Sequence, residues 1–343
     1  MNKYLIMILV YVLMLGSKKP FPQQLGAALA SPTQKEVVKE SIVFIAGFDE
    51  SDNTYYSNAR QYFKNQGMPI VDSLFALNEI INYLNSAGEN QIRYNEIHIV
   101  SHSNAWLGMS LKTTKTGERI TVSALQNAAQ EHSIEKICEN ITSSSKIIFH
   151  SCGLGENKEL LQELRSIFDA KEIVASPYFN VFGGKYADHY LANPYYGYYP
   201  TAESLGPAHL AKEFKQAYPT VDIDWFTALK TRRESSFGKA YSFKFNIPVD
   251  WEFTFDKVND IPTLEDKEAI MDWISESPEM AEVLFKLNIP IEKFRWRSTI
   301  KENKLIIKGK TTVLCVLAPI LQPNDASEYQ NVRVKDRTLY QIL

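Results

Sequence analysis

Short, densely apolar runs alternate with segments of helical apolar spacing through the first two hundred residues. The first run, Ile42-Val43-Phe44-Ile45-Ala46-Gly47-Phe48, has no polar interruption, as expected of a strand buried on both faces. A polar turn, Asp49 to Thr54, leads into a predicted helix over 55–66. After Pro69-Ile70-Val71, a helix over about 74–85 places Leu74, Leu77, Ile80, Ile81 and Leu84 on one face. Residues 97–101 and 146–150 read as two further strands, with a Thr-Gly hairpin turn at 116–117 and a helix over about 122–140 between them. Leu160, Leu161, Leu164, Ile167 and Phe168 then mark an amphipathic helix, followed by a strand over 172–176. Strands alternating with helices predict an α/β fold, an open, mostly parallel sheet flanked by helices, over residues 36–200.

The pattern changes after Pro177. Pro194-Tyr195-Tyr196-Gly197-Tyr198-Tyr199-Pro200 lacks strand periodicity and reads as a surface loop over the crevice, with a linker or loop continuing over 201–235. From 236 onward, the segment 241–255 alternates apolar and polar residues as antiparallel strands do. A helix over about 264–287 and strands near 291–298 and 304–319 complete a predicted α+β accessory domain, 236–343. At the other end, Met1-Asn2-Lys3 precedes an apolar stretch from Tyr4 to Gly16, the form of a secretory signal within residues 1–30. Those thirteen residues fall short of the roughly 20 that span a bilayer. Ala28-Leu29-Ala30 supplies an A-x-A cleavage pattern well past the run, so both cleavage and retention as an anchor stay open, and the expected location is secreted or periplasmic.

Composition narrows the classes. With 343 residues, 45% of them apolar, the chain can bury a large core. Lys and Arg number 37 against 40 Asp and Glu, so no global charge recommends nucleic acid or an anionic membrane as partner. The expected partner is a peptide or protein substrate met locally, with no membrane contact beyond an N-terminal anchor. Cys138, Cys152 and Cys315 are an odd number for an exported chain, which leaves at least one thiol outside an internal disulfide. Cys138 and Cys315 read as buried, inert thiols. No Gly-rich phosphate loop, calcium loop or tight metal-ligand spacing stands out, so no cofactor or metal is expected; His98 and His150 read as packing. Asn140-Ile141-Thr142 is a glycosylation acceptor only in a host that glycosylates, and Lys230-Thr231-Arg232-Arg233 is a processing site or, more blandly, solvated surface.

The candidate chemistry sits where two apolar runs stop. Ile97-His98-Ile99-Val100-Ser101 ends at His102, and Lys146-Ile147-Ile148-Phe149-His150-Ser151 ends at Cys152. If the runs are adjacent parallel strands about 4.8 Å apart, their carboxyl ends deliver an imidazole and a thiol to one crevice. Thiolate is the reactive form of cysteine, and a neighbouring imidazole is a common means of generating it. Gly153 and Gly155 permit a tight turn that frees the Cys152 amide as an oxyanion donor; the Ser103 amide is the second candidate, each such donor being worth about 3 kcal/mol in a transition state. The bland reading is a buried cysteine beside a backbone-satisfied histidine.

The segments IHIVSHS, ending at His102 and Ser103, and IIFHSCGLG, containing Cys152, resemble the caspase-like cysteine peptidases, the superfamily of metacaspases, gingipains and clostripain. The likeness covers roughly residues 41–200 and implies a His102/Cys152 dyad for peptide-bond hydrolysis through a thioester, without an organic cofactor. Ser103 stands where that superfamily has Gly. A rival reading takes Ser101-His102-Ser103-Asn104-Ala105 as a nucleophile elbow of an α/β-hydrolase, with Ser103 as nucleophile and Asp188 and His209 as partners. A third class is a non-catalytic exported binding module that uses the aromatic segment 194–200 on a peptidase-like scaffold.

Overall fold

The first apolar run forms β1 (Val37–Ala46), which has parallel neighbours on both sides. The computed structural model describes residues 37–49, 53–138, 142–199 and 206–343. The expected signal segment, and Asn140 and Ile141 of the glycosylation tripeptide, lie outside the described residues; Thr142 is buried, its hydroxyl bonded to the Phe168 carbonyl. After β1 come α1 (Thr54–Asn65), β2 (Ile70–Leu74), α2 (Leu77–Glu89) and β3 (Ile92–Val100). A two-rung hairpin, β4 (Ser103–Asn104) and β5 (Gly108–Met109), precedes α3 (Val122–Gln130), β6 (Lys146–His150), α4 (Lys158–Phe168) and β7 (Glu172–Ala175). This is the expected mixed α/β architecture with a mostly parallel sheet.

Both faces of that sheet are covered, which explains its lack of alternation. Phe44, Ile97, Ile99, Ile147, Phe149 and Ile173 meet the apolar faces of α2, α3 and α4. Val43, Ile45 and Val100 turn the other way, onto Tyr56, Ala59 and Phe63 of α1. Two predicted helices prove shorter than expected. The helix over 122–140 stops at Gln130 because His132 takes a left-handed φ of 54°, and the helix over 264–287 divides at Ser277-Pro278. Proline lacks the N–H that a continuing helix requires and instead opens the next one.

The second half departs from the expected domain plan. It contributes β8 (Phe179–Phe182), β9 (His189–Tyr198), α5 (Gly206–Ala217), α6 (Trp225–Lys230) and β10 (Tyr241–Thr254). Next come α7 (Lys267–Glu276), α8 (Pro278–Leu287), β11 (Arg295–Lys301) and β12 (Lys304–Pro319). The small strands β13 (Leu321–Gln322), β14 (Asp325–Tyr329) and β15 (Gln341–Ile342) finish the chain. Among the described residues one sheet runs β15-β7-β6-β3-β1-β2 and another runs β10-β12-β9-β8, with β11 also on β12.

Residues 194–198 of the tyrosine segment therefore belong to a strand and not to a surface loop. Tyr195 packs toward α5 and α6 while Tyr196 and Tyr198 face the opposite side, so both faces are covered and no polar alternation marks it. Because β9 pairs with β12 from Ala192↔Pro319 to Tyr198↔Val313, the boundaries placed near 200 and 236 do not separate two cores. The last strand, β15, returns to pair with β7. Residues Glu36–Leu343 form one compact unit. No helix among the described residues is long and apolar enough to cross a membrane. A fragment ending at residue 200 is expected to show no cooperative thermal transition by circular dichroism, whereas residues 36–343 melt cooperatively, because the fragment strips β9 of its partner.

Candidate functional site

The register of two strands decides where the chemistry falls. β3 and β6 are parallel neighbours from Glu96↔Lys146 to Val100↔His150. His102 and Cys152 each follow two residues after that last paired rung, so both emerge at the same carboxyl edge of the sheet. Both line one cavity of about 550 Å³, whose apolar wall includes Phe179, Val181, Phe243 and Phe245. Those wall residues come from β8 and β10, so the second sheet completes a site that the first sheet begins.

Gly153 has a left-handed φ of 70°, and a single 3-10 turn, Leu154–Glu156, separates Cys152 from α4. A Cβ on Gly155 would come within 2.6 Å of the Ala175 carbonyl oxygen, so only glycine lets this turn lie against the end of β7. The amide of Gly153 donates to the Tyr178 carbonyl and that of Gly155 to the Ser176 carbonyl. The Cys152 amide has no backbone acceptor among the described residues. On the opposite side, His102 accepts at its carbonyl from the Ser110 amide at 2.7 Å. Antiparallel ladders alternate, so the next residue, Ser103, turns its own N–H away from β5.

His102 is held from several directions. Asn53 caps α1 by accepting the Tyr55 amide at Oδ1 (3.0 Å), which fixes its amide group and aims Nδ2 at His102 Nε2, 2.7 Å away. An amide NH₂ only donates, so Nε2 is the acceptor and the neutral ring carries its proton on Nδ1. The Tyr55 ring stacks on the imidazole with centroids 4.4 Å apart, and its hydroxyl donates to the His150 carbonyl at 2.7 Å. The Tyr56 hydroxyl accepts the His102 amide and donates to Asp49, tying the strand end to the loop after β1. Burial lowers the His102 pKa; Asp49 opposes this and Arg119 adds to it.

Cys152 is only 7% exposed, and burial pushes its thiol up to about 12. Its Sγ approaches the Asn180 carbonyl at 3.9 Å, and among the described residues no hydrogen bond joins it to His102. The structure thus brings imidazole and thiol to one cavity in their neutral forms without pairing them. Asp49 and Arg119 also line the cavity near His102; Arg119 donates through Nε to the Met109 carbonyl and through one terminal nitrogen to the Ser110 hydroxyl.

Near the site lies a histidine cluster in which His98 and His150 are buried and His189 is half-buried. His98 Nδ1 and His150 Nε2 are 3.0 Å apart with stacked rings, and His189 stacks on Phe182 and bonds to Asn180 Oδ1 at 3.1 Å. Among the described residues no group of three or more His, Cys, Asp or Glu is arranged to hold a metal. These rings pack between β3, β6, β8, β9 and α1, as part of the core that carries the site.

The Ser103 alternative finds a different setting. An elbow requires a helix after its serine, whereas Ser103 opens the β4–β5 hairpin. Asp188 and His209 are not among the residues that line the cavity, and His209 lies on α5 with Nε2 3.6 Å from Glu213. Cys138, expected to be buried, is exposed beyond α3, while Cys315 is buried as expected; Arg232 and Arg233 are exposed. Sequence patterning missed Asn53, Tyr55, Tyr56 and Asp49. Asn53 could have been found, since an Asn directly before a helical pattern is a standard cap signal; the tyrosines read simply as the apolar face of α1. Comparisons of the chain with protein-family models, with curated proteins and with solved structures give no match.

Two outcomes follow from the burial of these groups. At pH 7.5 iodoacetamide should alkylate Cys138 at least tenfold faster than Cys152, and the Cys152 rate should keep rising with pH until unfolding, as read by peptide mass mapping. Burial also lowers the pKa of His150 well below its ordinary value and that of His189 to about 3, with His98 adding in both cases. A depressed folded pKa means stability present above the unfolded value, near 6.5, and lost as pH falls toward the folded one. Chemical denaturation should therefore show stability falling below pH 6.5 by up to about 1.4 kcal/mol per pH unit for each such histidine. A His189→Gln variant should flatten that slope.

Proposed function

We propose that this chain is an exported cysteine peptidase of caspase-like fold, with Cys152 as nucleophile and His102 as its proton carrier. The observation that supports this best is the Val100↔His150 register, which delivers imidazole and thiol, from strands fifty residues apart in sequence, to one cavity at a sheet's carboxyl edge. In the proposed cycle the His102 ring first turns away from Asn53 to offer a nitrogen to the thiol. The Cys152 proton passes to the imidazole as sulfur attacks the substrate carbonyl carbon, and the carbonyl electron pair moves onto oxygen. The amides of Cys152 and Ser103 receive that oxyanion. Collapse breaks the C–N bond, the imidazolium protonates the departing amine, and a thioester remains. Water then attacks the thioester while His102 takes its proton; the C–S bond breaks and the imidazolium returns a proton to sulfur.

A second reading is favoured by one observation. The thiol is buried and protonated in the resting arrangement, as suits a binding module on a peptidase-like scaffold. Hydrolysis of fluorescein-labelled casein, together with labelling by a thiol-reactive peptide probe, separates the readings. A peptidase should lose at least 100-fold in rate in Cys152→Ala and in His102→Ala while Ser103→Ala stays within a few-fold, a loss in the range of positioned acid–base and nucleophilic catalysis. The probe should mark Cys152 ahead of the exposed Cys138. Loss in Ser103→Ala alone would favour the hydrolase, and activity intact in every variant would remove the dyad.

A further inference from the structure

β10 offers a short open window of backbone at the cavity. In the antiparallel ladder with β12, alternate residues of β10 turn their N–H and C=O groups outward. Three bonds fix which ones. The Ser242 amide donates away from β12 to the Thr231 carbonyl (2.8 Å), and the carbonyl of Thr312, opposite Asn246, accepts from Tyr199 on the far side (2.8 Å). The Phe255 amide faces the other way, toward Asn303, at 2.9 Å. The even-numbered residues of β10 therefore present their backbone groups to the outer edge.

Along that edge the possibilities narrow quickly. Ser242 is already covered by Thr231, and Pro248 has no N–H to give. Beyond it stand the acidic Asp250 and Glu252, charges of the kind that discourage strand addition. Between these limits Lys244 and Asn246 are exposed, and their outward amides and carbonyls have no partner among the described residues. Phe243, Phe245 and Asn246 also line the cavity that holds His102 and Cys152. Residues from both faces of the strand, Phe243 and Phe245 on one and Asn246 on the other, thus border this one cavity.

We infer that the outward backbone of Lys244 and Asn246 binds an extended peptide as an added strand, two of whose residues bond to this window while the chain continues across His102 and Cys152. Main-chain pairing of this kind selects unfolded segments over helices, with side-chain preference left to the apolar wall. This deepens the peptidase reading and rests on it for the nature of the occupant. The window lies in β10, outside the part of the chain that carries the superfamily likeness.

The full chain carrying Cys152→Ala provides the test. Fluorescein-labelled peptides from a casein digest are ranked by fluorescence anisotropy, and the tightest binder is resynthesised with a single N-methyl group at each position in turn. Binding should weaken at least tenfold at positions two apart that face the window and stay within twofold at the residue between them. Lys244→Pro, which deletes one outward N–H as Pro248 does natively, should weaken binding at least tenfold, while Asp250→Pro should leave it unchanged. Absence of peptide binding, or a loss spread evenly over all positions, overturns the inference. Period-two binding with no casein hydrolysis by the unsubstituted protein would uphold the window and sink the peptidase; hydrolysis without the period would do the reverse.

Discussion

Everything at the site depends on one stretch of parallel pairing, β3 against β6. Strand pairs a single rung out of step would move one of the two side chains by about 3.3 Å and turn it to the other face of the sheet. The pairing cannot slip easily because both strands are buried on both faces, with Ile97, Ile99, Ile147 and Phe149 against one helical layer and Val100, His98 and His150 against α1 and β8. The buried contact between His98 and His150 adds a polar pin, since a shift would leave two ring nitrogens in an apolar layer without each other.

The same burial that fixes the geometry also quiets the chemistry. A thiol pressed among Phe179, Tyr241 and Cys315 keeps its proton, and an imidazole sandwiched by Tyr55 and held by Asn53 stays neutral. Neutral groups cost little to bury, whereas a thiolate–imidazolium pair in the same place would need close contact to offset its desolvation. The imidazole and the thiol are therefore brought to one cavity but not joined, each held by a different partner. Residues of β10, among them Phe243 and Phe245, complete the wall of that cavity from the second sheet.

The alternation of strands and helices up to residue 176 was legible because each element there carries its own signal. Continuous apolar runs such as 42–46 mark strands covered on both sides, and the spacing from Leu77 to Leu84 marks one helical face. The loop-like reading of 194–200 failed for the complementary reason. Its tyrosines are apolar enough to bury and polar enough to read as surface, and only pairing with β12, more than a hundred residues later, makes them a strand. The separate C-terminal domain failed with it, because pairing across a presumed linker leaves no local trace.

By itself the sequence determined an α/β sheet whose strand ends carry His102 and Cys152, since periodicity and strand termination are properties of neighbouring residues. Tertiary structure alone decided the rest: that β9 joins β12, that Asn53 and Tyr55 immobilise the imidazole, that the thiol is buried and that β10 walls the cavity. Each of these is a meeting of residues far apart in the chain. Such meetings are set by which apolar faces can be covered at once, and no window of adjacent residues contains that information.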